Sequence, residues 1–106
     1  MIVTPAAGIV GHRVVKTLGI VRGNTIRARH LGRDILAGLK NIVGGEIEEY
    51  TKMMAEAREQ ATDRMVAEAT RLGANAVTDV RFMTSYIMGA ASEILAYGNA
   101  VVTEPE

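Results

Sequence analysis

The stretch that most constrains this 106-residue chain is Glu46 to Leu72, which contains neither glycine nor proline. Alanine, glutamate, methionine and arginine, all good helix formers, fill most of it. A helix of this length spans about 40 Å, the width of a whole small domain. The remaining residues must therefore be laid along it. Glu46, Glu48 and Glu49 suit the positive N-terminal end of such a helix, and Arg71 suits the other end. Glu48 and Lys52 stand in the favourable i,i+4 order, and Gly73 is placed to act as the C-cap.

On a helical wheel with Tyr50 at zero and about 100° per residue, Ala61, Met54, Leu72 and Met65 fall between about 20° and 60°. The apolar arc runs from Met53 at about 300° to Ala55 and Val66 at about 140–160°, roughly 220° in all. One sheet covers an apolar stripe of only about 100°. The excess must meet water, the short helix or another subunit, and Val66, at the edge of the arc, is an interface candidate. Arg58 projects from inside the arc. Either its stem packs while the guanidinium reaches water, or it pairs with Asp79 or Glu93 to organise an interface. A ligand-binding role is the remaining option. The methionines Met53, Met54 and Met65 lie at packing positions and read as gap fillers.

Three segments predict strands. Val14 to Val21 is apolar on both faces, which suits a covered strand. Gly19 inside it suggests a bulge, and Gly23-Asn24 suggests a turn before Ile26. Asn75 to Met83 alternates, with Ala76, Thr78, Val80 and Phe82 on one face and Val77, Asp79, Arg81 and Met83 on the other. Ser92 to Val102 reads as a third strand, and its nearly continuous apolar run from Ile94 to Val102 suits the centre of a sheet, antiparallel to both neighbours. Thr84 to Ala91 would join the last two strands as a flexible hairpin bending at Gly89. Leu31 to Val43 carries Leu31, Ile35, Leu39 and Ile42 at helical spacing and predicts a short helix weakened by Gly32 and Gly38.

Charge is balanced overall but segregated. Residues 1–44 hold seven basic and one acidic residue, and residues 45–106 hold five basic and eleven acidic, so the halves carry +6 and −6. Such halves can attract each other within a chain or between subunits. A nucleic-acid surface is the competing reading, but one Phe, three Tyr and no Trp leave few stacking platforms. The N-terminus lacks a signal-peptide pattern and no apolar run is long enough to span a membrane, so the expected compartment is the cytoplasm.

Reactive chemistry is sparse. Cysteine is absent, which removes disulfides, thiolate metal sites and thiol nucleophiles. His12 and His30 are isolated, and Glu46, Glu48 and Glu49 suit hard ions better than soft ones. A symmetric ring could still gather several copies of His12 around one axis. Ser85 and Ser92 lack a nucleophile-elbow context. Asp79 and Glu93 would come near each other on paired strands without a recognised cleft. Gly8 to Gly11 forms a GxxG without the helical flanks of RNA-clamping loops. Gly44-Gly45 precedes a helix, but the glutamates that follow would repel phosphate.

The segments LGIVRGN (18–24), GRDILAGLKNIVGGE (32–46), EAREQATDRM (56–65), LGANAVTDVRF (72–82) and YGNAVV (97–102) together resemble the YbjQ family of small bacterial and archaeal proteins, over almost the whole chain and in the same order. The resemblance implies an α+β fold: a βα(α)ββ two-layer sandwich of three antiparallel strands in the order 1-3-2, with one long helix across it, similar to a dodecin subunit. It also implies a homo-oligomeric ring, most simply a pentamer. The family carries a heavy-metal-binding label but implies no known reaction, and the residue chemistry above argues against that label here. The expectation is a single domain, 1–106, that is non-enzymatic, holds no cofactor and no metal of its own, and has itself as main partner. Arg58, Val66, Asp79 and Glu93 are its interface candidates. The rival is an ion- or small-ligand-binding protein whose site forms between subunits. An RNA-binding module is a third reading, resting on the basic half and the GxxG alone.

Overall fold

A computed structural model describes residues 1–27, 45–87 and 91–106. The expected short helix at 31–43, His30 and Gly89 lie outside the described residues. The order of elements is β1 (Ile2–Val3), β2 (His12–Arg27), α1 (Gly45–Arg71), β3 (Ala76–Ile87) and β4 (Ala91–Pro105). The strands form one sheet in the order β1-β3-β4-β2.

The fold is α+β, with the helix packed on one face of the sheet, mainly over β2 and β4. The last strand is central and antiparallel to both long neighbours, as its apolar run predicts. Two expectations are corrected. The sheet has four strands, not three in the order 1-3-2, because the N-terminus adds a short parallel strand beside β3, pairing Ile2 with Ala76 and Val3 with Val77. The main chain beyond it continues the contact, with the Asp79 amide donating to the Ala6 carbonyl at 3.0 Å and the Val80 amide to that of Thr4 at 3.1 Å. Two residues are too few to show periodicity, so sequence offers no signal for this strand.

The second correction concerns Gly23-Asn24, which is not a turn. β2 runs straight through it, pairing Gly23 with Ala96 and Asn24 with Leu95. Gly23 is glycine because the helix passes directly over it: a Cβ there would collide with the Ala61 carbonyl oxygen, the Met65 amide and the Arg64 Cβ. The Arg64 guanidinium clasps the same crossing by donating to the Asn24 carbonyl at 2.6 Å.

The helix buries a single i,i+4 row, Ala57, Ala61, Met65 and Ala69. Facing it are Val21, Val77, Val80, Ile94, Ala96 and Ala100. Each step of such a row advances about 40° around the helix, so the buried direction rotates along its length. A flat wheel therefore widens the apolar arc artificially. At the level of Arg58 the sheet lies toward Ala57, and Arg58 is exposed rather than inside a core. Ala55 is exposed, and Met53, Met54 and Val66 are half-buried.

Gly19 has φ +121° and sits at a register shift between Thr17 and Gly19, which is the bulge its position predicts. Gly73, at φ +92°, closes the helix in a Schellman motif: its amide donates to the Thr70 carbonyl and that of Ala74 to the Ala69 carbonyl, both at 3.0 Å. Gly73→Ala should therefore cost about 1 kcal/mol, because alanine resists this left-handed conformation. The midpoint of urea unfolding reads the loss, and an unchanged midpoint would show that the cap is not strained by a side chain.

Next to the cap, the Arg71 guanidinium donates to Glu68 at 2.7 Å and holds the Glu68 carboxyl below the usual range. This pair is solvent-exposed and adds little to stability.

Candidate functional site

The sheet face opposite the helix is the most distinctive surface. Residues directly opposite one another on neighbouring strands point to the same side. Tyr97 lies opposite Arg22 on β2 and Arg81 on β3, so a phenol stands between two guanidinium-bearing side chains in one row. The next row sets Leu95 between Asn24 and Met83. Ile20, Arg22, Met83, Leu95 and Tyr97 line a shallow groove of about 220 Å³. Carboxylates stand at its two ends, each held by an amide: Asp79 accepts from Asn99 at 3.0 Å and Glu93 from Asn24 at 3.1 Å.

A bulge shapes this face. Asp79 has φ +54°, and the register shifts between Thr78 and Arg81. The extra residue reverses the alternation of β3. Val77 and Phe82, expected on opposite faces, pair with Ala100 and Ala96 and so share the helix side. Arg81 is steadied by donating to the carbonyl oxygens of Pro5 at 2.9 Å and Val80 at 2.8 Å.

The structure separates residues that the sequence reading brings together. Glu93 pairs across the ladder with Ser85, six positions beyond Asp79 and about 20 Å away along the strand. The two carboxylates therefore do not form a dyad. Within one protomer Arg58 pairs with neither Asp79 nor Glu93; among the described residues the ion pairs are Arg13–Glu104 and Arg71–Glu68. Val66 lies half-buried on the helix, away from the groove. The row of Arg22, Tyr97 and Arg81 escapes the sequence reading, although Leu95 and Tyr97 do alternate opposite Ile94 and Ala96. Which residues of other strands join them is set by register, which no local pattern records.

This architecture, a mixed four-stranded sheet crossed on one face by a single long helix, defines a small α+β class. A solved protein of unknown function from Pediococcus pentosaceus, assigned to the DUF74 family, shares the fold with a TM-score of 0.65 at 13% identity, covering 98% of each chain. The profile of the YbjQ family, described as "putative heavy-metal-binding", matches residues 1–104, and the chain belongs to that family. A UPF0145 protein of Dehalococcoides mccartyi is 60% identical over 98% of this chain and 100% of its own length. UPF0145 proteins of Methanosarcina acetivorans and Thermus thermophilus are 56% and 52% identical, covering 95% and 99% of this chain and 95% and 92% of their own lengths.

Among the described residues, the donors of one protomer form no set that fits a heavy metal. The chain has no thiolate, and among the described residues no three of His, Asp and Glu converge on a point. His12, at the start of β2, has a buried Nδ1 without a hydrogen-bond partner, but one imidazole nitrogen does not make a site. Purified protein should retain only substoichiometric zinc or copper after mild chelation, read by elemental analysis. Stoichiometric metal that survives the chelator and is lost in His12→Ala would overturn this. Among the described residues no helix is long and apolar enough to cross a membrane.

Proposed function

We propose that the chain, a single domain over residues 1–106, acts as a non-enzymatic subunit of a homo-oligomeric ring of five copies in the cytoplasm, similar to a dodecin subunit in its layering. The observation that carries this reading is the uncovered sheet. Among the described residues no helix or strand packs on the half of the groove face around Ile20 and Met83, which are 66% and 54% exposed, whereas Ala76, Thr78, Val101 and Thr103 at the other end of that face are buried. The protomer is also extended. Its radius of gyration is 17.1 Å and its extents are 57 × 25 × 17 Å, against about 13 Å expected for the radius of a compact chain of this length. Its accessible surface is 6730 Å², whereas a monomer of this mass typically shows about 5,800 Å². The surplus is of the order of the area one partner gives to a stable interface, about 800 Å². The opposed +6 and −6 halves favour contact between unlike patches, which is what a ring requires. Arg58, Val66, Asp79 and Glu93 are proposed contact residues.

A second reading adds a ligand to the same assembly. The groove offers an apolar floor and the Arg22 side chain but is open on one side, so a neighbouring subunit could complete a site for a small anionic molecule or an ion. Native mass spectrometry tests both readings. The expected spectrum shows one species at five times the 11.4 kDa protomer mass, and any added mass reports a retained ligand. A spectrum of protomers alone would refute the ring.

A further inference from the structure

We propose that the groove on the sheet face binds a small carboxylic acid with an apolar body, its carboxylate on Arg22 and its hydrocarbon on Leu95 and Met83. The inference rests on the ligand reading above and names the class of ligand and the residue that reads its charge.

The lining is divided by chemistry along the strands. Arg22 and Tyr97 stand directly opposite each other across the β2–β4 ladder. Such residues have Cβ atoms about 4.5–5.5 Å apart, so a guanidinium and a phenol hydroxyl meet at one level of the groove. Both are donors, and together they match the two oxygens of one carboxylate. One row further, about 7 Å along the strands, Leu95 stands opposite Met83. A head at the first row and a tail of a few carbons over the second fill the groove from end to end.

The charge on this face is unbalanced in the right sense. Among the described residues neither the Arg22 guanidinium nor the Tyr97 hydroxyl has a side-chain hydrogen bond or an ion pair. The two carboxylates of the face are held elsewhere, Asp79 by Asn99 and Glu93 by Asn24. Glu93 pairs with Ile26, which lies four residues beyond Arg22 and so about 13 Å along the strand. Asp79 is on β3, two strand spacings or about 10 Å across the sheet from β2. The strand that carries Arg22, His12–Arg27, also holds Arg13, Lys16 and Arg27 and no acidic residue. An anion is the complement of such a wall.

Other occupants fit less well. An inorganic phosphate needs several donors and would lose water against Ile20, Leu95 and Met83, which give nothing in return. An uncharged hydrocarbon would cover the guanidinium without replacing its hydration. The volume, about 220 Å³, is below the roughly 300–1,000 Å³ of pockets for drug-sized ligands, which excludes a dinucleotide. A peptide ending in a carboxylate would need a free strand edge for its backbone, and β4, the floor of the groove, is paired on both sides.

Methyl NMR of the full chain, titrated with hexanoate and with its mass measured by light scattering in the same buffer, tests this. Hexanoate should shift the Met83, Leu95 and Ile20 methyl signals to saturation. Butanoate should bind about tenfold more weakly, because each buried methylene is worth about three- to fourfold. Hexanol and inorganic phosphate should each bind more weakly than hexanoate. Arg22→Gln should weaken hexanoate by about tenfold or more while leaving hexanol unchanged, which also shows that the apolar floor is intact. Phosphate that matches hexanoate would overturn the apolar carboxylate and leave an ion site. Hexanol that matches hexanoate, or Arg22→Gln that binds hexanoate as the wild type does, would remove Arg22 from the site and overturn the proposal. Silence of these methyls toward all four probes in a particle several times the protomer mass would overturn the ligand reading as well, while the ring stands. In a particle of protomer mass the ring falls, and the hexanoate titration still decides this site, since one chain supplies its whole lining.

Discussion

Gly23→Ala is expected to destabilise the protein by about 3 kcal/mol or more, the upper end of what overpacking costs. The reason is backbone against backbone. The added methyl would meet the Ala61 carbonyl oxygen and the Met65 amide, neither of which can swing aside as a side-chain tip could. Gly23 is fully buried at the point where the helix crosses β2, and the residues around it are small, Ala57, Ala61 and Ala96. Relief would require lifting the helix, which would loosen Met65 and Val21, among the largest fully buried side chains. A loss of this size should lower the melting temperature by roughly 12 °C or more. A melting temperature within a few degrees of the parent would mean that the helix does not cross the sheet here. Gly23→Val should prevent folding altogether.

The second large effect is expected at Val66. It lies beside Met65 in sequence but outside the buried row, and it is half-buried in the protomer. Val66→Arg should leave the protomer folded, because the side chain points away from the Ala57–Ala69 row and its carbonyl can still accept the Thr70 hydroxyl, now 2.8 Å away. If this edge of the helix lies in the subunit contact, an unpaired guanidinium there should cost about 2–5 kcal/mol per interface. Light scattering after size exclusion, with circular dichroism to confirm folding, should then show a mass shift toward the protomer. A folded mutant of unchanged oligomeric mass would place Val66 outside the contact.

The elements with strong local signals were legible in the sequence. The helix ends one residue from where Gly73 and the run without glycine or proline place it. The central position of β4 follows from its apolar run, and the Gly19 bulge from a glycine inside a strand. What was not legible depends on contacts between distant segments. The Gly23-Asn24 pair has turn chemistry, but glycine there serves the close approach of a helix 40 residues away. The Asp79 bulge reverses the alternation of β3 through amides that bond the N-terminal segment, so period-two counting assigned Val77 and Phe82 to different faces. The same limit hid the groove. Arg22, Tyr97 and Arg81 are unremarkable apart and become one row only through register. The separation of Asp79 from Glu93 has the same origin: membership of paired strands says nothing about height along them.

The account stands or falls on whether further copies cover the part of the sheet around Ile20 and Met83 that is exposed among the described residues. Light scattering and analytical ultracentrifugation of the wild-type protein over a dilution series, down to concentrations where weak dimers dissociate, test this most directly. The account predicts one particle at a fixed multiple of 11.4 kDa, whose far-ultraviolet circular dichroism stays constant until it dissociates and unfolds in a single step. A folded, stable species of protomer mass at micromolar concentration would contradict it.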